Sequence, residues 1–239
     1  MNSLKNMIAG CGLIATMALT TGCDKELDPT IEENFDFTNT SNVQLYNAIV
    51  GSNRTFLYVD NKPVNGATIA YGAAFPSSAY GFTVTGANNN MLLRDTLASS
   101  SQVPLSFQPN LEAGKNYTIF AYDTSTAPQQ LTVETNIVIP TDSTARLRFA
   151  NFQYSTAARP AVDVFSVKRQ ANIFTNISKT QVTDFIPYAS SLNDTLIVRE
   201  TGTTNFVAQL NGINPTEKRS YTVVLRGGVS RVLTSFANR

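Results

Sequence analysis

Two stretches of this chain repeat the same residue pattern at a constant separation of 104 residues. The pattern Val43-x-Leu45-x-Asn47 matches Leu147-x-Phe149-x-Asn151, and Lys115-Asn116-Tyr117-Thr118-Ile119 matches Arg219-Ser220-Tyr221-Thr222-Val223. An equal separation at both ends of a unit indicates two copies of one structural module. Each copy spans about 100 residues, which is enough for a hydrophobic core of its own.

Both copies read as short β-strands separated by turns. In Ala145-Arg146-Leu147-Arg148-Phe149 the residues alternate, which places Leu147 and Phe149 on one face and the two arginines on the other. No long segment has a helical repeat, so the chain is predicted to be all-β, with two tandem antiparallel sandwiches. The other predicted strands are Val43–Asn47, Thr55–Asp60, Tyr80–Thr85, Val103–Phe107, Tyr117–Tyr122, Leu131–Ile139, Ala161–Val167, Thr195–Glu200, Tyr221–Arg226 and Val229–Phe236.

The boundary between the copies is predicted near Ile139-Pro140-Thr141-Asp142-Ser143, which gives sandwiches over residues 41–140 and 141–239. We expect each to fold alone. Because Phe149 faces inward, its truncation to alanine should destabilise the second sandwich by about 3–5 kcal/mol. Truncation of Arg148, on the outer face, should change stability by less than about 1 kcal/mol.

The amino terminus has the pattern of a secretion signal. Lys5 precedes an apolar stretch that is too short, and too diluted by glycine and threonine, for a membrane span. It ends in Leu19-Thr20-Thr21-Gly22-Cys23, which resembles the lipobox of bacterial lipoproteins. We therefore expect a signal peptide over residues 1–22, a lipid on Cys23 and a flexible tether over residues 23–40. Cleavage without lipid and an uncleaved anchor are the alternatives.

Further resemblances concern location and family. Asp24-Lys25-Glu26 resembles surface-export signals of lipoproteins in Bacteroidota, which implies an outer-membrane protein that faces outward, with the periplasmic face as the alternative. The segments Ala145–Asn151, Pro160–Phe165 and Ser220–Val224 resemble domain of unknown function 4397, and in the first copy Leu111–Thr118 does so too. The resemblance covers nearly all of residues 41–239, although the first copy departs from it at Phe56–Pro63. It implies immunoglobulin-like sandwiches and no known activity.

Composition argues against several functions. Histidine is absent, which removes the commonest general base and metal ligand. The net charge of +1 provides no basic surface for nucleic acid. Asp163 has no predictable partner carboxylate for glycoside hydrolysis, so we expect it to pair with Arg146 or Arg148 or to cap a turn. We therefore predict no enzymatic activity, no cofactor, no metal site and no nucleic-acid partner.

Two sets of residues are candidates for surface roles. The uncharged stretch from Pro63 to Leu93 contains four aromatic residues, which either fill the first core and its edge or form an exposed patch for a ligand: Tyr71, Phe75, Tyr80 and Phe82. Three hydroxyl residues each follow an aspartate in a pattern that resembles O-glycosylation acceptors of Bacteroidota: Thr96, Ser143 and Thr195.

These observations favour a non-enzymatic, lipid-anchored cell-envelope protein whose sandwiches form a surface adhesion or interaction module. The alternative is a glycan-binding accessory lipoprotein of a polysaccharide-uptake system, in which tyrosines of the uncharged stretch stack on sugars. The expected partners are the membrane, through the lipid on Cys23, and a protein or glycan ligand.

Overall fold

The computed structural model describes residues 38–239, so the predicted signal peptide, Cys23 and most of the predicted tether lie outside the described residues. The described residues form seventeen β-strands and no helix, which confirms the all-β prediction. The strands of the first half are β1 (Thr40–Asn47), β2 (Phe56–Val59), β3 (Lys62–Pro63), β4 (Ala74–Phe75), β5 (Phe82–Thr85), β6 (Met91–Arg94), β7 (Leu105–Phe107), β8 (Asn116–Thr124) and β9 (Ala127–Glu134). Those of the second half are β10 (Ala145–Gln153), β11 (Val162–Ser166), β12 (Ala171–Ile177), β13 (Ile186–Tyr188), β14 (Asp194–Glu200), β15 (Phe206–Ile213), β16 (Ser220–Gly227) and β17 (Val232–Ala237).

These strands form four sheets. In the first half, sheet I has the order β4-β1-β8-β9, with β5 also paired to β1, and sheet II has the order β3-β2-β6-β7. In the second half, sheet III has the order β13-β10-β16-β17 and sheet IV the order β12-β11-β14-β15. Sheets I and II enclose one apolar core, and sheets III and IV enclose another. Each half is therefore a β-sandwich, as predicted.

Most strand pairs are antiparallel, but each half contains one parallel pair. Strand β1 runs parallel to β8, with Leu45 opposite Ile119, and β10 runs parallel to β16, with Phe149 opposite Val223. Each parallel pair joins the first strand of a half to the strand before its last. Local alternation of residues cannot specify a pairing between strands so far apart in sequence.

In β1 and β10, the residues that face inward are those that the alternation in the sequence predicts. Leu147 and Phe149 are fully buried in the second core. Asn47 and Asn151 are also fully buried, and each ties its strand to another segment of its half: Asn47 Nδ2 donates to the Ile69 carbonyl over 3.1 Å, and Asn151 Nδ2 donates to the carbonyl of Ile177, at the end of β12, over 3.0 Å. These bonds satisfy amides that burial would otherwise make costly.

A third apolar cluster, called here the joint, connects the two sandwiches. The ring of Tyr46 stacks on that of Phe236 with centroids 5.2 Å apart. Sheets I and III are therefore apolar on both faces, and the sheets stack in the order II, I, III, IV. The joint residues come from sheet I and sheet III: Tyr46, Ala48, Phe120, Ala150, Phe152, Val224 and Phe236.

Arg148 lies in this joint, so the prediction that it occupies an exposed outer face is wrong. Its side chain is only 2% exposed. The alternation places Arg148 correctly on the face opposite Leu147 and Phe149, but the first sandwich covers that face.

Candidate functional site

The joint contains a polar network centred on Arg148. Its Nε donates to Thr222 Oγ1 over 2.8 Å, and its Nη2 donates to Thr118 Oγ1 over 2.8 Å and to Thr135 Oγ1 over 3.3 Å. Thr222 belongs to the same half as Arg148, whereas Thr118 belongs to the first sandwich and Thr135 directly follows its last strand. The guanidinium therefore ties the two halves together.

The network continues through two buried amides. The Thr222 hydroxyl donates to Asn238 Oδ1, and Asn238 Nδ2 donates to Gln44 Oε1 over 3.0 Å. Gln44 Nε2 then donates to the carbonyls of Pro76, over 3.1 Å, and Ala237, over 3.0 Å. Because these bonds occupy both amides, Gln44 and Asn238 stabilise the joint and offer little to a ligand.

A cleft of about 90 Å³, called the Tyr80 cleft, opens beside this network. Asn42, Asn116 and Thr135 are among its lining residues. Asn42 Nδ2 donates to Asn116 Oδ1 over 3.3 Å, whereas Asn116 Nδ2 has no hydrogen-bond partner within residues 38–239. The Asn116 amide is therefore a free donor in the wall of the cleft.

Tyr80 also lines this cleft, and 64% of its surface is exposed. Its φ of 87° is costly for a bulky residue and persists only where the surroundings hold it. Tyr80 N donates to the Asn238 carbonyl over 3.3 Å. A Cβ on the next residue, Gly81, would lie 2.5 Å from the Val43 carbonyl oxygen, so only glycine can pack there. This packing fixes the backbone that presents Tyr80.

The structure separates the other three predicted aromatics from Tyr80. Phe75 and Phe82 lie 5.8 Å apart, centroid to centroid, and pack against the first core. Phe75 also lines an uncharged cleft of about 410 Å³. Tyr71 is half-buried under the guanidinium of Arg226, whose Cζ lies 4.2 Å from the ring centroid. The four residues therefore do not form one exposed patch.

A second cleft at the joint, called the Arg148 cleft, has a volume of about 380 Å³. The segment between the halves contributes to both clefts: Thr135 faces the Tyr80 cleft, whereas Glu134 and Asn136 line the Arg148 cleft. Arg148 and Phe185 line the latter from the second sandwich. Alternate residues of one segment thus contribute to two neighbouring clefts.

Arg148 carries a buried charge between two aromatic rings. Its Cζ lies 4.7 Å from the ring centroid of Phe185 and 6.0 Å from that of Phe120. Within residues 38–239 the ion pairs involve other cations, and Arg148 has no carboxylate partner. Burial lowers the pKa of Arg148 to about 9, so the group is still charged at neutral pH.

Sequence reasoning missed the role of Arg148, although a signal for it exists. Ala150 and Phe152 follow Arg148 on the same face of β10, so this face is mainly apolar as well. A strand that is apolar on both faces is typical of a strand with structure packed on both sides.

Asp163 anchors turns and does not pair with an arginine. It accepts hydrogen bonds from Asn176 N over 2.8 Å, from Thr201 Oγ1 over 2.9 Å and from Gly202 N over 3.3 Å. Burial acts to raise the pKa of Asp163, but these hydrogen bonds outweigh it and hold the pKa below its usual range. Of the two roles expected for it, the structure places Asp163 in the turn-capping one.

The predicted modification sites lie in different settings. Thr96 and Ser143 are exposed outside the strands, whereas Thr195 is half-buried within β14. Cys23 lies outside the described residues. Within residues 38–239, no group of three or more acidic, cysteine or histidine side chains is arranged to hold a metal ion. The same part of the chain contains no helix that is long and apolar enough to cross a membrane.

No family model and no curated protein matches the chain. Among solved structures it is similar to a family 26 carbohydrate-binding module of Eubacterium rectale Amy13K in complex with maltoheptaose, with 10% identity and a TM-score of 0.26 over 82% of this chain and 96% of that chain. It is also similar to family 41 carbohydrate-binding modules from streptococcal virulence factors, described for alpha-glucan recognition, with 12% identity, a TM-score of 0.26 and the same coverage. Likenesses this remote carry no argument about the ligand.

Proposed function

We propose that this chain is a non-enzymatic cell-envelope protein that binds a glycan at the Tyr80 cleft. The observation that carries the proposal is an exposed tyrosine held at φ 87° beside a free amide donor, Asn116 Nδ2. A tyrosine ring offers a large rigid contact face at low entropic cost, and an amide bonds hydroxyl groups. A few polar groups beside an aromatic face are typical of small-ligand sites.

The rigid support of Tyr80 favours binding over a purely structural role. Gly81 packs on the backbone of Val43, and the joint network fixes Asn238, which accepts the bond from Tyr80 N. A ring that is already held in place loses little freedom when a ligand binds.

The location of the protein is part of the same proposal. A lipid on Cys23 would anchor the chain in the outer membrane, and Asp24-Lys25-Glu26 would direct it to the cell surface. The motifs at the amino terminus support this. A glycan-binding protein in this place would act as an accessory to polysaccharide uptake.

Adhesion to another protein is the second candidate function. It is favoured by Val229, which is 100% exposed between β16 and β17, and by Val232, which is 42% exposed at the start of β17. Exposed apolar residues that lie close together are typical of protein interfaces.

The test uses the mature chain with Cys23→Ser, which carries no lipid, and a panel of neutral and acidic oligosaccharides. Tyr80→Ala should weaken binding of the preferred oligosaccharide by about tenfold, or about 1.4 kcal/mol. Phe206→Ala is the matched control, because Phe206 is 60% exposed and lies outside the Tyr80 cleft. Equal affinities of the two variants, or no binding of any oligosaccharide, would overturn the proposal.

A further inference from the structure

The Arg148 cleft holds a buried cation that lacks a counterion. Transfer of an isolated guanidinium from water into an apolar interior costs several kcal/mol unless a partner compensates it. Three threonine hydroxyls and the faces of Phe120 and Phe185 compensate in part. No carboxylate within residues 38–239 forms an ion pair with Arg148.

One nitrogen of Arg148 is still available to a ligand. Nε and Nη2 donate to the threonines, whereas Nη1 has no hydrogen-bond partner among the described residues. Nη1 is also not sealed from solvent. Because Arg148 lines a cleft of about 380 Å³, a group that enters this cleft can reach the guanidinium.

The other charged groups of the cleft leave room for an anion. Arg146 also lines it, and only its Nη1 is engaged, by Thr144 Oγ1 over 2.7 Å and by the Ala145 carbonyl. Of the two lining acids, Glu134 is held by Lys115 Nζ at 3.0 Å. Asp184 is exposed and forms no ion pair with either arginine within the described residues.

We propose that the Arg148 cleft binds the carboxylate or sulfate group of an acidic saccharide. Guanidinium groups match such planar or tetrahedral oxyanions with charge-assisted hydrogen bonds, and two arginines lie on this cleft. A saccharide is favoured because the cleft adjoins the Tyr80 cleft: Thr135 lines the latter, and its Oγ1 lies 3.3 Å from Arg148 Nη2. This inference rests on the proposed function and names its ligand class.

The experiment measures binding by calorimetry with the full mature chain carrying Cys23→Ser. The probes are oligogalacturonate, its neutral methyl ester, a sulfated galactose oligosaccharide and its unsulfated form. We expect each acidic probe to bind at least about tenfold more tightly than its neutral form. Arg146→Gln and Arg148→Lys should each reduce that ratio by at least about twofold, while the control Arg159→Gln, an exposed arginine outside the cleft, should leave it unchanged.

Arg146→Gln keeps the test decisive if Arg148→Lys disturbs the joint, because Arg146 is half-buried and outside the threonine network. Equal binding of the acidic and neutral forms would overturn this inference and leave the proposed function standing. No binding of any saccharide would overturn both. A hexaglutamate peptide that binds as tightly as oligogalacturonate would contradict the assignment to a saccharide.

Discussion

The ring of Phe120 stacks on the ring of Phe152 with centroids 4.6 Å apart, although the two residues belong to different sandwiches. Tyr122 adds a second contact to Phe152 at 5.1 Å. Such aromatic pairs contribute about 0.5–1.5 kcal/mol each beyond the area they bury. The joint thereby sets the relative position of sheets I and III. Residues of both halves line each cleft, so the joint also determines the shape of the surfaces that a ligand would contact.

Arg148→Ala should destabilise the protein by about 2–4 kcal/mol, because it leaves a cavity and removes the charged donor from three buried threonine hydroxyls. Urea unfolding of the full chain measures this change. Arg146→Ala, on the same face but half-buried, should change the free energy of unfolding by less than about 1 kcal/mol. Equal effects of the two substitutions would mean that the guanidinium of Arg148 contributes little to the joint.

Residues 41–140 and 141–239, expressed separately, should associate when mixed. Each has a core of its own, but separation exposes the apolar face that contains Phe120 in one half and Phe152 in the other. Analytical ultracentrifugation should detect a one-to-one complex. Phe152→Asp in the second half should abolish it, and a mixture that stays monomeric would contradict the role assigned to the joint.

Asp194→Asn should reduce the loss of stability in acid. The Asp194 carboxylate is buried and accepts hydrogen bonds from the hydroxyls of Ser166 and Tyr188 and from the backbone nitrogens of Lys168 and Thr195. Burial acts to raise the pKa of Asp194, but the hydrogen bonds outweigh it and lower the pKa. A carboxyl group with a lowered pKa stabilises the fold above its unfolded value of about 3.9, and that stabilisation is lost as pH falls through the folded pKa.

The free energy of unfolding, followed from neutral pH to about pH 2, measures this loss. In Asp194→Asn the curve should start lower and fall less steeply. Glu217→Gln removes an exposed carboxylate and should leave the slope unchanged. The same acid slope in the Asp194 variant and in the unmodified chain would show that this carboxyl does not govern acid unfolding.

Cys23→Ala should release the protein from membranes, because the other cysteine of the chain, Cys11, lies within the predicted signal peptide that cleavage removes. Fractionation of cells that express the variant measures this release. Retention of the variant in the membrane fraction after a high-salt wash would contradict the lipid anchor.

Much of the fold could be predicted from period-two alternation. Leu147 and Phe149 point inward as the pattern requires, and both sandwiches are present. The strands that were not predicted are β3, β4, β6, β12, β13 and β15. Of these, β12 and β15 have irregular register: Asn176 has φ 56° within β12, and Gly212 has φ 68° within β15. Such irregularities add or shift a residue and so interrupt the alternation.

The candidate site was harder to predict, because it depends on contacts between distant segments. Tyr80 could be named from its place in an uncharged stretch, but its separation from Phe75 and Phe82 depends on which face each strand presents. The setting of Arg148 depends on the first sandwich covering sheet III, and the only local sign of this is that Ala150 and Phe152, on the same face of β10, are apolar. A charged residue in an alternating strand ordinarily indicates a solvent-exposed face, and here it lies against another sheet.

The most direct test of the central claim is a solution NMR titration of the full mature chain, with Cys23→Ser, against the oligosaccharide that binds best. We predict that the amide signals of Tyr80 and Gly81 and the side-chain amide signal of Asn116 shift with ligand concentration, while those of Val229 and Val232 do not. Shifts confined to Val229 and Val232, or no shifts at the Tyr80 cleft at saturating ligand, would contradict it.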